Sequence, residues 1–535
     1  MSATATETPP SLSAREVRKV IFASSLGTVF EWYDFYIYAT LAPFFATLFF
    51  PPGNASAALL ASFATYAAGF LVRPFGALVF GRIGDLVGRK YTFLITIMVM
   101  GFATAAVGML PTYASVGMVS PIVLVLLRLA QGLALGGEYG GAATYVAEHA
   151  PDSKRGLHTS WIQTTATLGF FVSLVIIYAC RSSLSEAEFK QWGWRIPFLI
   201  SLVLLVISVY IRLKLNESPV FLAMKSQGKG SKQPIKDSFG NWANAKIVLL
   251  ALFGAAAGQG VVWYTGQFYA LFFLTGTLKV HWKTAYTILA ISLMLGTGLF
   301  IFFGWLSDKI GRKKIMLAGC LLGAATYFPL YRAMTHYANP ALETFAANTK
   351  ISLVATDCRV HLFPNPKTVF SECDKVQDFL SKRSLSFVTT DGAEGAKPVT
   401  HINGKEIVGW DEPKLTAELK ALNYPTAAKP ADVNVPMLIL LVFIQVVFVT
   451  MVYGPIAAFL VELFPARIRY TSMSLPYHIG NGWFGGMLPL TAAALVAAKG
   501  NIYAGLWYPV IVAGITFVIG LIFIRETRDH KIHTL

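Results

Sequence analysis

Charge is scarce in this sequence. Charged residues make up 13% of its 535 residues, about half of the share in a typical soluble protein, whereas 55% of the residues are hydrophobic and the mean hydropathy is +0.56. Apolar stretches of about 20 residues, each long enough to cross a bilayer, recur along almost the whole chain. This composition excludes a single soluble core, a coiled coil or a disordered scaffold, and it predicts an all-α polytopic membrane protein.

Cysteine is also scarce, with four residues, and neither a CxxC pair nor a His-Cys cluster is present. We therefore expect no metal site and no cofactor. The absence of a nucleophile-base constellation argues against an enzyme. Cys180 and Cys320 lie in or near apolar stretches, where a free thiol behaves as a small buried apolar group.

The apolar stretches predict twelve transmembrane helices. The first begins near Val20, carries Glu31 and Asp34, and is not followed by a small-residue cleavage site, so we interpret it as a span rather than a signal peptide. The predicted spans are 20–48, 56–80, 91–110, 118–147, 158–180, 194–214, 246–276, 284–304, 314–333, 436–460, 471–496 and 502–524. An even number places both termini on the same side.

The net charge of +16 follows the topology. If the termini are cytoplasmic, Lys and Arg collect in the inner segments, while the outer loops 51–55 and 111–117 have none. This asymmetry predicts a multi-pass protein of the cell inner membrane that contacts lipid and not nucleic acid. The inner basic residues are Arg15, Arg18, Lys19, Arg82, Arg89, Lys90, Lys154, Arg155, Lys309, Arg312, Lys313, Lys314, Arg467, Arg469, Arg525 and Arg528.

The chain also repeats itself. The loop that begins at Gly81 recurs from Gly304, at an offset of 223 residues, and Glu148 matches Glu462 at an offset of 314. Two parallel six-helix repeats, with an insertion of about 91 residues in the second, explain both offsets. The expected organisation is a cytoplasmic tail 1–19, an N-terminal half 20–214, an interhalf linker 215–245, helices seven to nine at 246–333, an insertion at 334–435, helices ten to twelve at 436–526, and a cytoplasmic tail 527–535.

The insertion lies outside the cell in this topology, in the periplasm or the exterior, where disulfides persist. Cys358 and Cys373 are fifteen residues apart and are a candidate pair. The turn-forming pairs Asp391-Gly392 and Asn403-Gly404 favour hairpins, and 416–422 resembles a helix. We expect a small α+β cap.

The duplicated loop, Gly81-Arg82-Ile83-Gly84-Asp85-Leu86-Val87-Gly88-Arg89-Lys90 and its copy from Gly304, together with the six-plus-six repeat, resembles the major facilitator superfamily. The motifs Glu31-Trp32-Tyr33-Asp34, Gly69-Phe70-Leu71-Val72-Arg73-Pro74, Arg128-Leu129-Ala130-Gln131-Gly132 and Trp192-Gly193-Trp194-Arg195 are similar to those of its metabolite:proton symporters, the permeases of 2-oxoglutarate, citrate, shikimate and proline or betaine. The insertion departs from the pattern of that family.

Charges inside spans are costly and are functional hypotheses by default. Five stand out in this chain: Glu31, Asp34, Arg73, Arg128 and Glu138. Three acids against two bases would leave one carboxylate without a fixed partner and available for a proton, whereas the alternative is a static set of ion pairs. We expect Arg73 either to bind a substrate carboxylate or to neutralise an acid of the first span. Arg128 is expected to take part either in gating or in substrate binding.

Polar and aromatic residues at helical spacing form candidate cavity walls, although packing is an equal alternative. They are Gln131 and Tyr139 in the fourth span, Gln259, Trp263, Tyr264 and Gln267 in the seventh, and His478, Asn481 and Trp483 in the eleventh. His478 is also a candidate proton carrier.

The duplicated loops are expected to latch the two halves when the cytoplasmic side is closed, which is what the resemblance implies. Simple topology charge would explain the basic residues but not the matching acids and glycines. The gating candidates are Gly81, Asp85, Gly88, Arg89, Glu148, Arg155, Gly304, Asp308, Gly311, Arg312, Glu462 and Arg469.

These observations predict a proton-coupled secondary active symporter that imports a small organic anion by alternating access and functions as a monomer. Three alternatives stay open: a zwitterion carrier for proline- or betaine-like solutes, an exporter, and a membrane sensor whose outer domain binds a ligand.

Overall fold

The computed structural model describes residues 14–52, 55–87, 89–137, 139–213, 233–359, 361, 367–465 and 468–530. Most of them are helical. The helices of the N-terminal part (residues 14–213) are α1 Ala14–Leu48, α2 Ala55–Leu71, α3 Arg73–Val87, α4 Arg89–Met109, α5 Tyr113–Val116, α6 Val119–Gly136, α7 Tyr139–His149, α8 Arg155–Ser183, α9 Glu186–Glu188 and α10 Arg195–Leu213.

The C-terminal part (residues 233–530) contains more and shorter elements. Its helices are α11 Pro234–Phe239, α12 Trp242–Ala251, α13 Ala257–Tyr264, α14 Ala270–Phe272, α15 Trp282–Ile310, α16 Arg312–Ala338, α17 Pro340–Asn348, α18 Glu372–Lys382, α19 Glu412–Ala421, α20 Val435–Tyr453, α21 Ile456–Leu463, α22 Arg469–His478, α23 Leu488–Lys499 and α24 Trp507–Phe523. Wider π-helical turns occur at Phe189–Gly193, Leu252–Ala256, Thr265–Tyr269, Phe273–Thr277 and Ile479–Gly486, and 3₁₀ turns at Asp152–Lys154 and Ala504–Leu506.

Ten helical stretches of the described chain are long and apolar enough to cross a membrane. They are Ala55–Phe80, Val119–Glu148, Asp152–Ser183, Arg195–Leu213, Trp242–Thr277, Trp282–Ile310, Arg312–Ala338, Val435–Leu463, Arg469–Lys499 and Ala504–Phe523. The shorter apolar helix Leu94–Met109 and α1 occupy the positions of the two other predicted spans.

Close helix contacts depend on glycine. A Cβ on Gly132 of α6 would collide with the backbone carbonyl of Gly69 in α2, and one on Gly136 would collide with the carbonyl of Arg73. Small residues at such crossings let backbones approach in lipid, where no hydrophobic force drives helices together. The glycines of the fourth predicted span thus hold α6 against α2 and α3.

The insertion folds around its own core. A four-stranded sheet of order β2-β1-β3-β4 is formed by β1 Ile351–Val354, β2 Val388–Thr390, β3 Val399–Ile402 and β4 Lys405–Val408. The helices α17, α18 and α19 bury apolar side chains against it, and a disulfide joins Cys358 to Cys373.

One of the two expected hairpins is present. The residues Asn403 and Gly404 both have positive φ angles, 48° and 85°, and connect the antiparallel strands β3 and β4. The prediction for Asp391-Gly392 is wrong. The strand β2 pairs parallel with β1, in the register Ser352 to Val388, because the chain after Asp391 crosses to the other side of β1 before it forms β3.

Candidate functional site

A break in the helix between α2 and α3, which we call the kink, comes directly before the fully buried Arg73. Pro74 lacks an N–H group, so the carbonyl of Phe70, four residues earlier, has no partner within the helix. The turn Ile479–Gly486 approaches that carbonyl, and a Cβ on Gly482 would lie 2.9 Å from its oxygen and 3.8 Å from Cδ of Arg73. Arg73 therefore lies next to the C-terminal part, at the boundary between the two parts of the chain.

Aromatic rings surround the Arg73 guanidinium. Its Cζ lies 5.4 Å from the ring centroid of Trp32 and 5.1 Å from that of Phe70. Tyr36 stacks on Trp32 at 5.1 Å and, across the boundary, on Trp263 at 5.4 Å. We call the six residues of this site the arginine-aromatic cluster: Trp32, Tyr36, Phe70, Arg73, Trp263 and Tyr264.

The guanidinium of Arg73 has no hydrogen-bond partner. The side chain is fully buried, and none of its three nitrogens is bonded. Neither Glu31 nor Asp34 is paired with it among the described residues, so Arg73 does not neutralise the acids of α1 in this conformation. A buried cation without hydrogen bonds is costly, and an anion with two acceptor oxygens would satisfy it.

Further unsatisfied polar groups lie beside the cluster. His478 is fully buried, neither of its ring nitrogens is bonded, and it interacts electrostatically with Arg73. The indole N–H of Trp263 is buried and unbonded as well. Gln259 and Asn481, by contrast, form a reciprocal pair of hydrogen bonds of 3.0 and 2.7 Å. Buried and unbonded nitrogens are thus present on Arg73, His478 and Trp263, while the amides of Gln259 and Asn481 are already satisfied.

Arg128 occupies a second buried aromatic site. Its Cζ lies 4.2 Å from the Phe35 ring centroid and 4.5 Å from that of Tyr38. One guanidinium N–H donates to Gln131 at 2.6 Å, and Gln131 in turn donates to Thr104 at 2.7 Å. Nε and Nη2 are unbonded. Arg128 and Gln131 are therefore hydrogen-bonded to each other, and two guanidinium nitrogens of Arg128 can still donate.

The two acids of α1 differ. Arg212 of α10 donates to Glu31 at 2.9 Å, and both side chains are 5% exposed. Asp34 is also buried, but its Oδ1 has no hydrogen-bond partner, and no basic side chain among the described residues pairs with it. The count of three acids against two bases is wrong, because it leaves out Arg212, which lies within the sixth predicted span and pairs with Glu31. The third acid, Glu138, lies outside the described residues.

The remaining wall candidates divide into two groups. Gln267 donates to Thr167 at 3.2 Å, and Tyr139 accepts a 2.6 Å bond from Gln163 while it stacks on Tyr477, so these residues join the two parts of the chain. Trp483 does not line the buried centre. It is 36% exposed, and its indole N–H donates to the Leu71 carbonyl at the kink.

The gating residues meet at one end of the bundle, which we call the motif end. Glu462 accepts from Arg155 at 2.9 Å and from Arg312 at 3.0 Å, and Arg312 also pairs with Asp308 at 2.6 Å. Asp308 further accepts from the backbone N–H groups of Gly156 and Leu157, both at 2.9 Å, at the start of α8. These contacts tie the two parts of the chain together.

A second pair supports the same end, where Arg469 donates to Glu148 at 3.1 Å. Gly304 packs against the carbonyl of Gly156, and Gly311 has a φ angle of 109°, which favours glycine. Gly81 lies in α3. Gly88 and the side chains of Asp85 and Arg89 lie outside the described residues, so the first copy of the loop stays a prediction.

Sequence reasoning missed the segment after α24. Glu526 accepts from the N–H groups of Arg312 and Lys313, and the Thr527 hydroxyl donates to Glu462 at 2.6 Å. The carbonyl of His530 accepts from Arg155 at 3.3 Å. The signal available in the sequence was Glu526, an acidic residue within a basic tail.

The opposite end, which we call the insertion end, carries the insertion. Asp308 and Trp282 stand near opposite ends of the 29-residue helix α15, about 40 Å apart. At this end Arg181 of α8 lies over the Trp282 ring at 4.0 Å. Contacts between the two parts of the chain therefore occur at both ends of the bundle.

Comparison with known proteins gives the family. The model described as "Sugar (and other) transporter" matches residues 19–246, and the model described as "MFS/sugar transport protein" matches residues 141–356. The Escherichia coli alpha-ketoglutarate permease is 34% identical over 62% of this chain and 75% of its own length. The chain belongs to the major facilitator superfamily. It is a membrane transporter and not an enzyme, as predicted.

Two further comparisons agree. The inner membrane metabolite transport protein YhjE of Escherichia coli is 38% identical over 56% of this chain and 68% of its own length. The solved proton:xylose symporter XylE of E. coli matches with a TM-score of 0.64, 17% identity and coverage of 97% of this chain and 98% of that one. At that identity the likeness concerns the fold. The resemblance to metabolite permeases is confirmed.

Proposed function

We propose that this protein is a proton-coupled symporter that imports a small organic anion by alternating access. The single observation that carries the proposal is Arg73, a fully buried guanidinium with no bonded nitrogen at the boundary between the two parts of the chain. A planar fork of donors fits a carboxylate with two parallel bonds. The alpha-ketoglutarate permease, a relative named for an organic acid, supports the same substrate class.

Replacement of Arg73 by Lys tests the anion site, because Lys keeps the charge and loses the fork. We expect the apparent affinity for the transported anion to fall roughly tenfold or more in proteoliposomes, which corresponds to about 1.4 kcal/mol. Arg195→Lys is a matched control, since Arg195 donates only within the N-terminal part, to the carbonyls of Gly108 and Leu110. An unchanged affinity in Arg73→Lys would return Arg73 to a structural role.

Asp34 is the best candidate for the proton carrier. A buried carboxylate whose Oδ1 lacks a partner is costly when it is charged and is relieved by protonation, whereas Glu31 has Arg212. Asp34→Asn should exchange substrate but fail to accumulate it under an imposed pH gradient. Glu31→Gln should retain accumulation once it is inserted. If the Asp34, Glu31 and Glu138 variants all accumulate substrate, coupling does not depend on these acids.

The proposal includes a topology. The ten apolar stretches, with α1 and α4, make twelve spans in two repeats of six, with cytoplasmic termini and an outer insertion, in the inner membrane as in the relative YhjE. An impermeant thiol reagent should label a cysteine at Asp391 in intact cells and one at Lys309 after lysis. The reverse pattern would invert the orientation. The carrier should be active as a monomer, which reconstitution at one copy per vesicle tests.

A zwitterion carrier is the second candidate, and the aromatic rings favour it. Trp32 lies beside Arg73, and Tyr36 and Trp263 continue a stack of rings from it. A quaternary ammonium is attracted by aromatic rings, and the carboxylate of the same solute would pair with the arginine. Competition between betaine and a dicarboxylate against the same labelled substrate separates the candidates. Efflux of loaded substrate along an opposed gradient identifies an exporter, and ligand binding without transport identifies a sensor.

A further inference from the structure

The insertion is fixed to the C-terminal part of the chain. Its ends continue covalently into α16 and α20, and the Asn434 N–H donates to the Tyr337 carbonyl at 2.8 Å. Lys279, in the loop before α15, donates to the Lys382 carbonyl at 2.7 Å, and the Phe387 N–H donates to the Gly500 carbonyl at 2.7 Å. Two of these contacts lie at the last residue of α18 and just after the helix, so we expect α18 to move with the C-terminal part.

The helix α18 also reaches the N-terminal part. Oδ1 of Asp378 accepts a 2.7 Å hydrogen bond from the backbone N–H of Ser56, in the first turn of α2. The first N–H groups of a helix have no partner within it, and a carboxylate there also meets the positive end of the helix dipole. Asp378, which is 8% exposed, thus caps a helix that begins 322 residues earlier in the chain.

The interface around this bond is small and polar on the side of the insertion. A narrow groove separates the start of α2 from α18 and the end of α23. It is lined by Ser56, Ala57, Leu60, Asp374, Gln377 and Ser381. Because few apolar side chains face each other there, separation of the two surfaces exposes little apolar area.

The carboxylate of Asp378 keeps a partner when α2 withdraws. Its Oδ2 lies 3.1 Å from the Lys382 ammonium, one helical turn further along α18. Loss of the Ser56 bond therefore leaves a paired carboxylate on one side and a helix N-terminus open to water on the other. Neither group becomes a buried unpaired charge, which is the condition for a reversible contact.

We propose that the insertion is a strap that holds the insertion end closed, with the bond between Asp378 and Ser56 as its point of release. The strap rests on the alternating access of the proposed function. In that cycle the two parts rock apart at the insertion end, and α18, carried by the C-terminal part, must leave α2. The stability of the bond between Asp378 and Ser56 then sets how often that end opens.

The test measures how often the insertion end opens in purified protein without substrate. Thr167 is fully buried below that end, where it accepts from Gln267 across the boundary. In a Cys180→Ser, Cys320→Ser background, the modification rate of Thr167→Cys by a bulky maleimide is read from the mass of its peptide. We expect Asp378→Ala to raise this rate roughly tenfold, equal to about 1.4 kcal/mol.

Asp391→Ala is the matched control, because it removes an exposed aspartate from the same insertion. It should leave the rate unchanged. Equal rates in Asp378→Ala and Asp391→Ala would overturn the strap. The modification rate could also rise as expected while an imposed pH gradient drives no uptake by the wild-type carrier. In that case the strap would be supported and the proposed proton-coupled symport would be wrong.

A cross-link tests the same contact without destabilising the insertion. In the double variant Ser56→Cys, Asp378→Cys, oxidation should form a disulfide that joins α2 to α18. The maleimide modification rate of Thr167→Cys should then be at least tenfold lower than in the oxidised Ser56→Cys single variant. Failure of the pair to cross-link, or an unchanged rate in the cross-linked protein, would overturn the proposal.

Discussion

The two ends of the bundle are closed by different means. At the motif end, Glu462 pairs with Arg155 and Arg312, and Arg469 pairs with Glu148, so fully or nearly buried charges cross between the two parts of the chain. At the insertion end, the contacts between the parts include the hydrogen bond of the strap, the cation-π contact of Arg181, and the aromatic contacts Tyr178–Trp282 and Phe63–Phe272 at 5.7 and 5.0 Å. Among the described residues, no ion pair crosses between the parts at that end.

This difference predicts which end opens first. A buried ion pair is strongly destabilised when one partner is lost, because the other charge is left unpaired in a medium of low dielectric constant. A hydrogen bond or an exposed cation-π contact is replaced by water at a lower cost. We therefore expect the resting carrier to open more readily at the insertion end and to need its coupled ligands to open the motif end.

Glu462→Gln should break this asymmetry most strongly. It leaves Arg155 and Arg312 without their shared carboxylate, and the loss of one partner of a buried pair costs about 3–5 kcal/mol. We expect a large fall in melting temperature in detergent and a loss of coupled uptake. Glu406→Gln is the control, since Glu406 is exposed on the insertion. Equal melting temperatures would show that the motif end is not held by these charges.

Removal of the disulfide should weaken the insertion end alone. The Cys358–Cys373 bond closes a loop of fifteen residues, worth about 3 kcal/mol in the chain-entropy estimate. In Cys358→Ser with Cys373→Ser, amide exchange should accelerate in β1 and β3 but not in α15. Cys180→Ser serves as the control. Unchanged exchange in the strands would mean that the core of the insertion holds it without the bond.

The motif end was largely predictable from the sequence, because its signals are local and repeated. A glycine turn with an acid and an arginine four residues later predicts the Asp308–Arg312 pair, and the matched acids predict where Glu148 and Glu462 lie. Hydropathy alone predicted the ten stretches that are long and apolar enough to cross a membrane. What the local pattern could not give is the choice of partner across the bundle, such as Arg212 for Glu31.

The insertion end was much less predictable. The spacing of Cys358 and Cys373 indicated a pair, and Asn403-Gly404 indicated a hairpin, since both depend on short stretches of chain. The parallel pairing of β2 with β1 and the capping of α2 by Asp378 depend on packing between distant residues. Neither leaves a periodic pattern in the sequence.

The stability of the insertion end should depend on pH through Lys279. Burial, with the nearby charge of Arg383, lowers the pKa of Lys279 to about 8 from its ordinary value of 10.5. Because the folded state releases this proton earlier than the unfolded state, the penalty is complete below about pH 8 and disappears as pH rises towards 10.5.

The wild type should therefore gain stability relative to Lys279→Gln between pH 7 and 9.5, by about 2 kcal/mol. Thermal unfolding of both proteins across that range measures the difference. Lys350→Gln, at an exposed position of the insertion, controls for general titration. A constant difference between wild type and Lys279→Gln would show that Lys279 titrates normally.

The smallest effect is expected at the contact of Arg181 with Trp282, which joins α8 to α15 at the insertion end. A partly exposed cation-π contact is worth about 0.5–1 kcal/mol, so Arg181→Gln should raise the modification rate of Thr167→Cys about twofold to fivefold. Lys283→Gln is the matched control, because Lys283 lies 5.6 Å from the same ring but belongs to the same helix as Trp282. In a double-mutant cycle with Trp282→Leu, the Arg181 effect should vanish. An undiminished effect in the Trp282→Leu background would mean that Arg181 acts through Glu186 instead, with which it also pairs at 2.6 Å.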